Sequence, residues 1–248
     1  MKRVISFSLW GDNKVYTYGM IENVLLAKEI YPGWVVRVHY NDTVPLEIIT
    51  WLKDQENTEM IHHSGDKKKA SNMFWRIEDI LSDWTVLVRD SDSRLNFREK
   101  AAVDEWLASN KDFHIMRDHP AHTVPIVGGG FGCRNNACKY IIISSNANNV
   151  NQCPFRFIET RTVLDNFIHV PESQDRYNLD QIFLYQHVYP TVVLNSIVHA
   201  SHNKYEPFAR DFPVIPYTGH ICDIQTNTPH ASKILGDPET NFVRQGHY

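Results

Sequence analysis

The first ninety residues alternate strand-like and helix-like patterns, and that alternation constrains the fold more than any other feature of the chain. Val4 to Leu9 is an apolar run of strand character, followed by the turn-rich Trp10-Gly11-Asp12-Asn13-Lys14. Met20, Val24, Ala27 and Tyr31 then recur at helical spacing, with Glu22, Lys28 and Glu29 off that face, and Pro32-Gly33 stops the helix. Val36, Val38 and Tyr40 alternate as a second strand, and a helix starts near Pro45 with Leu46, Ile49 and Leu52. A short strand around Met60 comes next, then a helix capped by Ser71 that carries Phe74, Ile77 and Leu81 inward. A strand from Trp84 to Arg89 closes the series. Strands spaced by helices pair in parallel, with the helices covering the faces of the sheet, so the predicted class is α/β.

That last strand delivers Asp90-Ser91-Asp92-Ser93-Arg94. Side chains of an extended segment alternate, so Asp90 and Asp92 point the same way, with Cα atoms about 7 Å apart. Open α/β sheets bind ligands at the carboxyl ends of their strands. Two carboxylates there repel unless a cation lies between them, and oxygen ligands suit Mg²⁺ or Mn²⁺. The plain alternative is a solvated turn of Asp and Ser. No Gly-x-Gly-x-x-Gly follows the first strand and no Gly-x-x-x-x-Gly-Lys-Ser/Thr occurs, so dinucleotide and P-loop readings both fail.

Beyond the aspartates, Asn96 with Glu99 reads as the start of a helix burying Val103, Trp106 and Leu107, and Phe113 to Arg117 as a strand. Gly128-Gly129-Gly130-Phe131-Gly132 gives backbone room for a bulky ligand or allows a strand in close packing. Residues 144–178 are polar and weakly periodic and yield no assignment. Asn178-Leu179-Asp180-Gln181 opens a helix ending near Tyr189-Pro190, and Thr191 to Leu194 reads as a late strand. The C-terminal fifth, with His199, His202, His220 and His230, is proline-rich and reads as a wrap on the core.

At 248 residues, 42% hydrophobic and 22% charged, the composition is that of a globular chain with one sizeable core. A formal charge of −4 argues against a nucleic-acid surface, and Lys67-Lys68-Lys69 reads as a solvated loop rather than a phosphate clamp. Cys133, Cys138, Cys153 and Cys222 lack metal-site spacing. They are read as reduced thiols, with a Cys133–Cys138 bridge as the alternative. No apolar run is long enough for a signal or a transmembrane span, so a soluble, cytoplasmic protein is expected.

Taken in order, the βαβ half, the Arg-Asp-Ser-Asp-Ser-Arg strand end, the Gly-Gly-Gly-Phe-Gly segment, the Leu-Asp-Gln helix start and a late histidine resemble the GT-A glycosyltransferases. Within them the chain is similar to compact bacterial and large-DNA-virus sequences beginning Ile-Ser-Phe-Ser-Leu-Trp-Gly, over residues 4 to about 220. The resemblance implies a single, Rossmann-like GT-A domain over 1–248: a nucleotide-binding half (1–94), a donor-sugar and acceptor half (95–220) and a tail (221–248). It implies a nucleotide-sugar donor, a UDP-sugar first, a glycan or small-molecule acceptor, and Mn²⁺ or Mg²⁺ held by Asp90, Asp92 and a late histidine. His199 is the first choice for that ligand, ahead of His220 and His202. Ser8, Trp10, Gly11, Tyr16 and Tyr18 match the base and ribose loop, with core packing of the aromatics as the alternative. Arg76 would reach the diphosphate unless it pairs with Asp79 or Asp83. Arg89, Ser91, Gly129 and Gly130 complete the donor set. Asp180 and Gln181 resemble the Asp-Gln of retaining families, where the aspartate binds donor-sugar hydroxyls; in an inverting enzyme Asp180 would be the general base.

A sugar nucleotidyltransferase needs a Gly-rich basic loop after the first strand, and an Asp-x-Asp phosphatase needs its nucleophile there; neither is present. A non-catalytic carbohydrate-binding or scaffold protein is the alternative of a different class.

Overall fold

A computed structural model describes residues 1–65, 67–144 and 155–214. The first strand, β1 (Arg3–Leu9), is buried from Val4 onward, as a strand covered on both faces must be. Helix α1 (Lys14–Ile30) starts where the Asn13 side chain accepts the Val15 N–H at 3.0 Å. It begins earlier than the periodicity indicates, so Tyr16 and Tyr18 lie on the helix and not in the preceding loop. Strand β2 (Val35–Tyr40), helix α2 (Leu46–Lys53) and strand β3 (Thr58–His62) follow. The segment predicted as one helix after Ser71 is three tight turns: 3₁₀ at Ala70–Phe74, α3 (Trp75–Glu78) and 3₁₀ again at Asp79–Leu81. Phe74, Ile77 and Ile80 are nonetheless its buried face.

After β4 (Thr85–Val88), helix α4 (Phe97–Ala108) is capped by Asn96, whose side-chain oxygen accepts the Glu99 N–H at 2.9 Å. Next come β5 (Phe113–Arg117) and β6 (Phe131–Cys133), then an antiparallel hairpin of β7 (Tyr140–Ser144) and β8 (Phe155–Glu159) outside the main sheet. Helices α5 (Thr160–Ile168) and α6 (Leu179–Phe183), a π-turn over Leu184–Val188, α7 (Tyr189–Val192) and β9 (Ser196–Ala200) complete the described chain. The late strand predicted at Thr191–Leu194 is thus helical throughout, α7 passing into a 3₁₀ turn at Val193–Asn195, and strand geometry begins only at Ser196. The β-branched Thr-Val-Val run was overridden by tertiary packing: Val188 and Val192 are buried, and the wide turn lets the helix pass Pro190.

The central sheet has the order β3-β2-β1-β4-β6-β5-β9. Every neighbouring pair is parallel except those made by β6, which is antiparallel to β4 and β5. The fold is therefore α/β, a seven-stranded, mostly parallel sheet flanked by helices. Alternation divides the core. Leu87 joins Ile5, Phe7 and Trp106 under α1, α2 and α4. Val86 and Val88 join Phe74, Phe131 and Phe183 under the 70–81 turns, α5 and α6. Among the described residues no helix is long and apolar enough to cross a membrane. Cys133 and Cys138 are buried free thiols with sulfurs 3.3 Å apart; Cys153, Cys222, His220, His230 and the 221–248 tail lie outside the described residues.

Candidate active site

Parallel strands β1 and β4 end side by side, register Ser6 opposite Val88, so their following loops open on one cleft. A cavity of about 440 Å³ occupies it, within the range usual for small-ligand sites. From the end of β1 come Ser8, Trp10 and Gly11, and from the first turn of α1 Tyr16. The loop after β4 contributes Asp90, Ser91 and Asp92, and the start of α6 contributes Asp180 and Gln181. Arg76, from α3, lies between the two acidic segments.

Arg76 is the hub. It is almost wholly buried, and its two terminal nitrogens reach Asp90 Oδ1 at 2.6 Å and Asp180 Oδ2 at 3.1 Å. Neither Asp79 nor Asp83 is its partner: Asp79 accepts from Ser6 and pairs with Arg37 and His39. The Arg76 N–H donates to Ser8 Oγ at 3.0 Å, which ties α3 to the end of β1. Burial lowers the Arg76 pKa, but the Asp90, Asp180 and Asp92 carboxylates outweigh it and raise the pKa above its ordinary value. Burial raises the Asp180 carboxyl above its ordinary range, and Arg76 works against that. Both Asp180 oxygens are used, since Oδ1 accepts the Gln181 N–H at 2.9 Å.

The glycine run backs these carboxylates. A Cβ on Gly129 would come within 2.1 Å of Asp90 Oδ2, and one on Gly128 within 2.5 Å of Asp180 Oδ2. Of the two sequence readings, close packing is the one observed, and what the glycines admit is the protein's own acid groups. Gly129 and Gly130 do not line the cavity; they lie behind Asp90 and against Met116. With its amide oriented to satisfy its neighbours, Gln181 accepts the Gly128 N–H at 2.7 Å and donates to the Ile126 carbonyl at 3.1 Å.

Besides these two glycines, three expected site residues lie elsewhere. Arg89 is buried on the far side of β4, donating to Glu99 at 2.8 Å and to the Val88 and Phe131 carbonyls. Tyr18 is packed in the core beneath Lys14. His199 is fully buried, 2.8 Å from His114 and 3.2 Å from Glu105, so it is not brought to Asp90 and Asp92. His202 does not line the cavity either. Conversely, Asp12, Asn13, Tyr177 and Asn178 line it and were not singled out, and Lys68, expected in a solvated loop, lines it as well. Asn178, left-handed at φ 70°, and its neighbour Asp180 share one helix start, which was the available signal for the 177–178 wall.

Among the described residues no cluster of three or more His, Cys, Asp or Glu side chains is set to hold a metal. The donors present still fit a hard divalent cation. Four aspartates (Asp12, Asp90, Asp92, Asp180) against Lys68 and Arg76 give the lining a net charge of −2. Mg²⁺-like ions need only one or two protein carboxylates when waters and substrate phosphates fill the remaining positions.

No family model matches the sequence, and no curated protein matches it. Among solved structures, the chain is similar to a glycosyltransferase involved in the glycosylation of the major capsid of PBCV-1, at 16% identity and TM-score 0.47, over 81% of this chain and 82% of that one. It is also similar to S. aureus TarS 1–349, at 18% identity and TM-score 0.42, over 79% of this chain and 56% of that one. The same TarS segment in complex with UDP gives 15% identity and TM-score 0.38, over 74% and 54%. At these TM-scores the likeness is one of outline, and the reading of the site rests on its own geometry.

Proposed function

We propose that the chain is a metal-dependent glycosyltransferase that moves a sugar from a nucleotide-sugar, a UDP-sugar first, to a glycan or small hydroxyl acceptor. The observation that carries this reading is the Asp90–Arg76–Asp180 bridge across a cavity whose lining stays negative. A cavity acidic at its floor and aromatic at Trp10, Tyr16 and Tyr177 suits a nucleoside diphosphate only with a divalent cation. Such a cation, when bound, neutralises charge on the departing diphosphate. Asp90 and Asp92 would hold it, with Ser91 beside them. Trp10 and Tyr16 offer ring faces and edges to a base, and Trp10 is fixed edge-on against Trp75 at 6.4 Å.

Retention is supported by the state of Asp180. A general base needs an oxygen aimed at the acceptor hydroxyl. Asp180 is 1% exposed, and its two oxygens already accept from Arg76 and from the Gln181 N–H. On this reading Asp180 orients donor-sugar hydroxyls rather than collecting an acceptor proton. Gln181, held by the 126–128 backbone, keeps the helix start in place.

Donor hydrolysis across UDP-, GDP- and dTDP-sugars with Mn²⁺, Mg²⁺ or EDTA tests the proposal. Slow metal-dependent release of one nucleotide is expected, with the early anomer matching the donor's. Thermal unfolding adds a second readout, because a ligand at 100 times its Kd stabilises by about 2.7 kcal/mol. No turnover and no nucleotide-induced stabilisation would leave a non-catalytic carbohydrate-binding protein as the better account.

A further inference from the structure

Each terminal nitrogen of Arg76 already reaches a carboxylate inside the protein, so its charge is largely offset before any ligand enters. Lys68 is the other basic side chain lining the cavity. Its ammonium rests on Asp12 at 2.6 Å, and both side chains are more than half exposed. The Lys68 stem crosses Gly11, whose absent Cβ would meet Cδ and Cε at 3.6 Å.

The backbone beneath Lys68 is fixed. The Lys67 carbonyl accepts from both Asn41 and Asn72 at 3.0 Å, and both asparagines are buried. Asn41 also accepts from Thr43, whose hydroxyl oxygen accepts the Gly11 N–H at 2.6 Å. Lys67 itself turns away to Glu172 at 3.3 Å. One buried polar network therefore sets the spacing between the glycine turn after β1 and the base of Lys68, while the ammonium is left on an exposed and easily exchanged partner.

We propose that Lys68 is the phosphate-recognising cation of this cavity and that Asp12 is its resting partner, exchanged for the diphosphate when a nucleotide enters. The inference rests on the donor-site reading above and adds the residue that recognises the anionic part of the donor. Lysine suits the task because its ammonium is a compact charge on a flexible stem, able to swing between two acceptors without moving the backbone. Asp12 competes with the ligand, so apparent affinity is the intrinsic affinity reduced by the fraction of Lys68 held on Asp12.

Calorimetric titration of the full chain with UDP and with uridine, in Mn²⁺ buffer, tests this. Lys68→Ala is expected to weaken UDP about tenfold, within the range of hydrogen bonds to charged groups, and to leave uridine unchanged. Lys68→Arg should keep most of the UDP affinity. Asp12→Asn is expected to tighten UDP about two- to fivefold, the range set by the strength of an exposed ion pair. Lys68→Ala binding UDP as tightly as the wild type overturns the inference. So does Asp12→Asn weakening UDP, which would make the pair a brace rather than a competitor. Wild-type protein that binds neither UDP nor pyrophosphate overturns the donor-site reading itself and the inference with it.

Discussion

Arg76 shows how the site depends on single side chains. Removing the guanidinium, as in Arg76→Leu, leaves the buried Asp180 carboxylate without its counter-charge. Breaking a buried pair in this way costs about 3–5 kcal/mol, with Asp90 adding less because it reaches solvent. The expected result is a clear fall in the urea midpoint, and an unchanged midpoint would show that Asp180 is neutral or hydrated there. Asp92→Ala should instead keep the fold and abolish both transfer and metal-dependent nucleotide binding; an active Asp92→Ala protein would remove Asp92 from the proposed metal site. For Asp180→Asn the expectation is a loss of turnover of at least about a hundredfold with UDP affinity kept, as for an interaction made mainly in the transition state. Loss of UDP affinity instead would move Asp180 into the nucleotide site. The two aspartates after β4 were legible because strand alternation and the position of a strand end are local properties. Arg89 was not. Its sequence neighbours suggest a site residue, but its partner Glu99 sits on α4 and takes it to the opposite face. Lys68 was read as part of a solvated loop for the same reason, since Asp12 and Gly11 are more than fifty residues away along the chain.

At the level of elements, the acidic side chains are only as well placed as the segments packed behind them. The Gly128-Gly129 turn leading into β6 lets the loop after β4 and the start of α6 close on the same backbone. In Gly129→Ala the new methyl would also meet the Asp90 backbone N at 2.9 Å, so the loop after β4 must shift. Metal-dependent nucleotide affinity is expected to fall at least about tenfold, a cost of 1.4 kcal/mol or more, while the far-UV spectrum stays unchanged. A variant with wild-type affinity would mean that Asp90 needs no backing. The parallel strands and α1, α2 and α4 were readable as pattern, because each buries one face at regular spacing. The end of α7 was not readable: Thr191 and Val192 have strand character, and only the burial of Val188 and Val192 against the sheet holds them helical. The late histidine was placed on the wrong side for a related reason. Strand β9 starts later than expected, and its pairing with β5 turns His199 toward His114.

Across the whole molecule, buried histidines tie stability to pH. Burial lowers the pKa of His114, helped by His199 and Arg89, and that of His199, where Arg210 and Arg98 act with it and Glu105 against it. His187 is lowered by burial too, and His63, stacked on Trp75 and beside His39, falls to about 4. An unfolded chain protonates its histidines near 6.5, so below that pH it binds more protons than the folded state. The stability these groups allow is complete above about pH 6.5 and declines as pH drops toward the folded values. Urea midpoints should therefore fall steadily from pH 7 to pH 5, above the ordinary carboxylate range, and His114→Phe should make the slope shallower. A flat profile over that interval would show that the rings take up protons in the folded protein as readily as in the unfolded chain.

The placement of β6 also bears on how the chain is assembled as it is made. Strand β6 lies between β4 and β5 but is synthesised after both. Until Cys133 has emerged, β4 keeps an open edge and β5 has no route into the sheet except beside a strand not yet present. The first four strands can pair in the order of synthesis, whereas the remainder must wait for an insertion. Asp90 and Asp92 are thus translated early but gain their backing only with the glycine segment and their opposite wall only with α6, so the ligand pocket is among the last parts of the chain to be completed.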